Sequence, residues 1–216
     1  MVRVPVRPAG AAHDVRVQPT RDRVSDRPLL LCAGLGLVAG ALAKAADESG
    51  LRWAADLGSY PAAWVLAVAA LGGAAPTVRT AAARAAVFFA AMSVAYYVWA
   101  ALVLGFGWNS LLVAWLLLSA TAVPAVAAAV QWAARRPGPV PGALLAGTAG
   151  IVLAGGAVLG DAGAHPVQAA ADVVVAGVLT AVLPRHGRTR LWASALLLPA
   201  TWPAGRGLDV LAALLG

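Results

Sequence analysis

The chain has 216 residues, 61% of them hydrophobic and only 12% charged, with a mean hydropathy of +0.80. Soluble domains carry about 25% charged residues, so this composition points to an integral membrane protein rather than a soluble enzyme. The formal charge of +7 does not indicate nucleic acid, because such a face needs clustered basic residues on a folded polar surface, and here they sit in short gaps between apolar runs.

The single cysteine, Cys32, lies in an apolar run, which excludes a disulfide or a thiolate metal site within one chain. Arginine dominates lysine and alanine and glycine are abundant, the coding bias of a GC-rich bacterial genome. The expected fold is all-α: residues 1–27 form a disordered, basic cytoplasmic tail, and residues 28–216 a polytopic helical bundle of six or seven transmembrane helices.

The leader, Met1 to Arg27, holds six arginines and three aspartates and has no periodic apolar face. Span one covers Leu29 to Ala46. The basic leader, the apolar core and Ala43-Lys44-Ala45 also describe a cleaved secretory signal, although Lys44 is an awkward residue at a cleavage site. Gly34 to Ala39 matches a dinucleotide fingerprint only in spelling, since no strand precedes it. Gly36 and Gly40 instead have the spacing of a close-packing helix face.

Asp47 to Ser59 reads as an outer loop, and Tyr60 to Pro76 as a short span two. The inner loop from Thr77 carries Arg79 and Arg84. Span three, Ala85 to Phe106, is 22 residues without a charge, about 33 Å of helix against a hydrocarbon core of about 30 Å. Tyr96 and Tyr97 fall at its centre, where their hydroxyls need protein partners. Gly107 to Ser110 forms an outer turn.

Span four, Leu111 to Ala134, should be kinked by Pro124, with Ser119 and Thr121 near enough to satisfy the freed carbonyls. Arg135 and Arg136 close it. Span five, Val140 to Gly160, repeats small residues at Gly142, Ala146, Gly150 and Ala154, a second close-contact face. Span six, Val167 to Pro184, follows the turn Asp161 to Pro166. Arg185, Arg188 and Arg190 mark the inner side again. Leu191 to Gly216, interrupted by Pro199, Pro203, Gly205 and Gly207, either crosses as a seventh span or turns back as a re-entrant pair.

Thirteen of the sixteen basic residues fall on one side of this ladder, which places that side and the amino terminus in the cytoplasm of a bacterial inner membrane. Trp64, Trp108, Trp115, Trp132 and Trp192 fall near the expected interfaces, and Trp99 is the deep exception. The Gly-rich first span, Ala63-Trp64, Tyr96-Tyr97, Gly160-Asp161 and the arginine-rich loop after span six together resemble an uncharacterised family of small polytopic actinobacterial membrane proteins, a domain of unknown function. The resemblance covers Leu29 to Leu215. It implies an inner-membrane location and no established activity.

Asp172 is the only acidic residue placed deep in the membrane, about 5 Å outward of the midplane, where a lone carboxylate costs roughly 2.5 to 3.5 kcal/mol. Lys44 lies about 10 Å outward by the same counting, and the two are expected to face each other. Gln168, four residues earlier, shares the face of Asp172. With Ser93, Tyr96 and Tyr97 these residues make up the candidate polar intramembrane site. Asp161 and His165 alone are too few for a metal. No cofactor, metal or catalytic set is expected: H-E-x-x-H, phosphate-loop and G-x-S-x-G patterns are missing. Two function classes remain, a small-solute or ion permease (or the membrane subunit of a transporter) and a non-transporting scaffold or regulatory partner, acting alone or as a homo-oligomer in the lipid bilayer.

Overall fold

A computed structural model describes residues 26–215; nearly all of the leader read as a disordered cytoplasmic tail lies outside the described residues. Every element among them is helical: α1 (Asp26–Glu48), α2 (Arg52–Ser59), α3 (Pro61–Ala74), α4 (Val78–Val98), α5 (Leu111–Ala120), α6 (Ala122–Ala134), α7 (Pro139–Gly155), α8 (Pro166–Gly177) and α9 (Gly187–Leu215). π-helical turns, Trp99–Val103 and Val178–Val182, extend α4 and α8.

Among the described residues three helical runs are long and apolar enough to cross a membrane: Arg27–Glu48, Val78–Val103 and Leu111–Ala134. The α2–α3 pair, bent by 50°, is a fourth if it is taken as one span.

Several expected boundaries move, each for a local reason. Asp47 to Ser59 is not a loop throughout, because Arg52–Ser59 coils into a helix with none of its residues buried. Pro61 ends it by holding Tyr60 extended at φ −80°, ψ 156° and then opens α3 at its first position. Helix α4 starts at Val78 rather than Ala85. Thr77 caps it by accepting from the Thr80 amide at 3.2 Å, so Arg79 and Arg84 lie on helix and not in a loop. Tyr96 consequently stands about 27 Å along the helix, toward its far end and not at its centre.

The anticipated kink in span four is a break at Thr121, with φ −123° and ψ −80°. There the Thr121 amide turns to the Leu118 carbonyl at 3.2 Å, and the Thr121 hydroxyl donates to the vacated Leu117 carbonyl at 2.7 Å. Ser119 donates to the Trp115 carbonyl at 2.7 Å. The last segment is not a re-entrant pair: α9 runs unbroken past Pro199 and Pro203, held along its length by α7.

Two glycine-lined contacts build the bundle. A methyl group at Gly36 would strike the Phe88 carbonyl, and one at Gly40 the Met92 carbonyl, so α1 and α4 lie parallel with their backbones close. On the other side Gly142 faces Trp192 and Ala193, Gly150 faces Ala200, and Ala154 faces Gly205, which sets α7 parallel to α9. Both faces are those read from the small-residue spacing. Helices α3 and α6 fill the middle, with Gly72 against the Ala127 backbone. Ala69, Val130, Leu145, Val152 and Leu179 form the core there.

One end of the bundle is basic and sealed. Arg135 donates to the Ala75 carbonyl at 2.6 Å and the Gly73 carbonyl at 3.3 Å, capping α3. Gln131 donates to the Pro76 carbonyl at 3.2 Å, the Arg185 amide to the Ala134 carbonyl at 2.9 Å and the Thr189 hydroxyl to the Arg136 carbonyl at 2.5 Å. The opposite end carries Asp47, Glu48, Asp56 and Asp161 beside Lys44 and Arg52.

Gly36→Ala and Gly40→Ala should each destabilise by about 2 kcal/mol or more, since the obstruction is backbone. Gly34→Ala, with nothing within 4 Å of its new methyl, should be neutral or stabilising by up to about 1 kcal/mol through helix propensity. Thermal unfolding in detergent of the three variants checks the opposite signs.

Candidate functional site

The candidate residues divide into two groups. Ser93, Tyr96 and Tyr97 line a cavity of about 290 Å³ between α1, α3, α4 and α5, with Gly58 and Ser59 of α2 also in its wall. Asp172 and Gln168 sit apart on α8, buried to 0% exposure.

Lys44 and Asp172 do not face each other. Lys44 is buried with its Nζ 2.7 Å from Glu48 Oε1, one helical turn on, and 5.2 Å over the rings of Tyr96 and Phe106. The aromatic faces give a desolvated ammonium a favourable surface, which removes the need for a distant carboxylate. Counting residues from the apolar midpoint gave both charges compatible depths, but it could not show which helices pack together.

Asp172 is held by backbone. Its Oδ2 accepts from the Ala157 amide at 2.7 Å and the Val158 amide at 3.1 Å, and its Oδ1 accepts from Gln168 Nε2 at 2.6 Å. Those amides follow the end of α7, so the carboxylate ties the α7–α8 connection to the core, with both of its oxygens engaged. Gly156 leaves room for it, because a methyl group there would meet the carboxylate. The shared face expected for Gln168 and Asp172 is thus present, as a fastening. The Gln168 Oε1 is buried without a partner.

At the cavity the chemistry differs. The Tyr96 hydroxyl donates to Asp47 Oδ2, and Ser59 Oγ donates to Asp47 Oδ1 at 3.2 Å. Asp47 is the one charged residue in the lining, and Trp64, Phe89, Tyr96, Tyr97 and Trp115 give it aromatic walls. The rings of Tyr96 and Tyr97 meet edge to face at 5.2 Å, and Phe89 and Trp115 are tilted at 6.0 Å. Trp64 is fixed by donating Nε1 to the Gly58 carbonyl at 2.7 Å. Ser93 is buried with its hydroxyl on the Phe89 carbonyl at 2.9 Å, so it adds shape and little polarity.

Helix α2 covers one side of this cavity and is pinned at its middle. His165 Nδ1 lies 2.7 Å from Asp56 Oδ2, and the Tyr60 ring is 5.7 Å from the imidazole. Asp161 and His165 are thereby separated in role: His165 fastens α2 to the start of α8, while Asp161 Oδ1 accepts from the Ala164 amide at 3.2 Å. Among the described residues no three His, Cys, Asp or Glu side chains gather as a metal site would require.

Asp47, Trp64 and Trp115 were not among the expected site residues. Hydropathy places Asp47 in a loop, yet Ala-Ala-Asp-Glu is a good helical continuation of span one, and that continuation turns Asp47 toward Tyr96. The tryptophans had been read as interface markers only. No protein-family model matches the chain, and no curated protein or solved structure is similar to it.

Asp172→Ala leaves two amides and the Gln168 amide without their acceptor, and should destabilise by about 3 kcal/mol or more. Asp172→Asn, which keeps an acceptor oxygen, should cost less than half as much. Unfolding midpoints in one detergent compare the two.

Proposed function

We propose that this chain is a multi-pass plasma-membrane protein that binds a small amphipathic cation at its acidic end and carries it across, as a permease or the substrate-binding membrane subunit of one. The observation that carries the reading is Asp47: a carboxylate held by Tyr96 and Ser59 in a cavity otherwise walled by aromatic and apolar side chains. Such walls favour a cation with apolar substituents at roughly 0.5 to 2 kcal/mol per ring, and the carboxylate supplies the charge to hold it. The volume suits a ligand at the small end of the usual range for small-molecule sites. The Lys44–Glu48 pair is internally neutral, so it leaves the charge of Asp47 uncompensated.

The same proposal includes the topology. Helices α3, α7, α8 and α9 run between the same two ends as the three long apolar runs, which supports seven crossings, and the arginines gathered at one end support a cytoplasmic placement of that end and of the amino terminus. The cavity then opens outward, with Phe89 and Met92 in its lining and the hydrogen-bonded arginine end sealed beyond. The kinship with actinobacterial polytopic proteins belongs to this proposal too, on the strength of its short motifs alone.

A second reading, a membrane scaffold or regulatory partner that moves no solute, draws on the buried, hydrogen-bonded Asp172 cluster, which is built as a fixed joint.

Binding of a panel of tetraalkylammonium and protonated arylalkylamine probes to the purified chain, beside neutral isosteres, tests the choice. Cation binding should be weakened about tenfold or more by Asp47→Asn and also by Trp115→Ala, with uptake of the bound cation into proteoliposomes. Equal affinity for the neutral isosteres, or an Asp47→Asn variant that binds normally, refutes the cation site. Binding without uptake refutes transport, and no binding at all favours the scaffold.

A further inference from the structure

A second opening lies on the flank of the α1–α4 pair, toward the arginine end. It is a groove of about 330 Å³ lined by Pro28, Leu31 and Cys32 of α1, Leu71 and Ala74 of α3, and Arg84 of α4. Among the described residues Arg84 is the one charged group in it, and it forms no ion pair with any of them. Its Nε is sealed from solvent without a hydrogen-bond partner.

The register of the helix pair fixes the depth of this cation. Gly36 meets Phe88 and Gly40 meets Met92, so Arg84 stands level with Cys32. By the same register Arg27 and Arg79, both exposed, stand level with each other at the helix starts, about 7.5 Å further toward the arginine end. One guanidinium is therefore set about a turn and a half deeper than the other two, on the wall of an apolar groove.

We propose that this groove binds an anionic phospholipid of the leaflet at the arginine end, its phosphodiester oxygens on the Arg84 guanidinium and an acyl chain along Leu31 and Leu71. A guanidinium donates a planar fork that matches two phosphate oxygens, and basic pockets between helices at a membrane face take anionic headgroups. Charge complementarity selects this occupant over the chain's own leader. Residues 1–25 hold five arginines against Asp14 and Asp22, and would bring mostly like charge to the Arg84 guanidinium. The inference goes beyond the solute site and shares with it only the premise of membrane embedding.

The test uses the full chain, extracted in detergent and supplied with phosphatidylglycerol or phosphatidylcholine, read by native mass spectrometry and by unfolding midpoint. Phosphatidylglycerol should be retained roughly tenfold over phosphatidylcholine and should raise the midpoint. Arg84→Gln should abolish the preference, and Arg84→Lys should keep part of it. If Arg84→Gln fails to fold, Leu71→Trp, which fills the groove and keeps the arginine, should release the retained lipid. Equal retention of the two lipids, or a preference that survives Arg84→Gln, overturns the proposal. So does inorganic phosphate that reproduces the stabilisation, since the site is then for free phosphate. A joint Asp14→Asn and Asp22→Asn change that mimics Arg84→Gln in phosphatidylcholine also overturns it, in favour of the leader. A chain recovered outside the membrane fraction overturns the membrane reading as well, whereas loss of lipid preference in an embedded chain overturns this inference alone.

Discussion

Close approach of helix backbones at glycine is the constraint on which this bundle depends. Small residues let helix backbones approach closely, which gains contact area and short interatomic distances. Gly36 and Gly40 let α4 press its carbonyls onto α1, and Gly142 and Gly150 do the same for α9 on α7. Those contacts also fix register. Because α1 cannot slide along α4, Asp47 reaches the Tyr96 hydroxyl at one end of the pair and Arg84 stands beside Cys32 toward the other. Packing at small residues thus determines where the functional polar groups come to rest.

Two carboxylates show how burial and partners divide structural from chemical roles. Asp172 is fully enclosed and meets three N–H donors, the arrangement that makes a buried charge tolerable. Both of its oxygens are engaged by the fold itself. Asp47 is half-buried, holds two hydroxyl donors and borders an open cavity. Hydroxyls can rotate away or exchange partners, so this carboxylate can be shared with a guest. The depth of a charge in an apolar run is therefore a poor guide to its use, and the donors around it are a better one.

The sequence made the apolar runs, both small-residue faces, the disturbance ahead of Pro124 and the common face of Gln168 and Asp172 legible, because each is a matter of spacing along one helix. Boundaries were less legible. Hydropathy marks the part of a helix that faces apolar surroundings, so the charged turns at Val78 to Arg84 and Asp47 to Glu48 looked like loops although the backbone continues through them. A span starting at Ala85 has Tyr96 at its centre, whereas the helix that starts at Val78 carries Tyr96 to its far end, beside Asp47. Partnership between helices was not legible at all. Lys44 and Asp172 have compatible depths and opposite charge, yet they belong to helices that do not pack together, and Lys44 finds Glu48 and two rings instead.

Both glycine-mated pairs run parallel, so the chain returns once between the two members of each, through α3 in the first and α8 in the second, and the broken α5–α6 connects the pairs. The polypeptide therefore travels the long axis an odd number of times. The start of α1 and the end of α9 therefore lie at opposite poles of the bundle, a separation that the glycine contacts set together with the register.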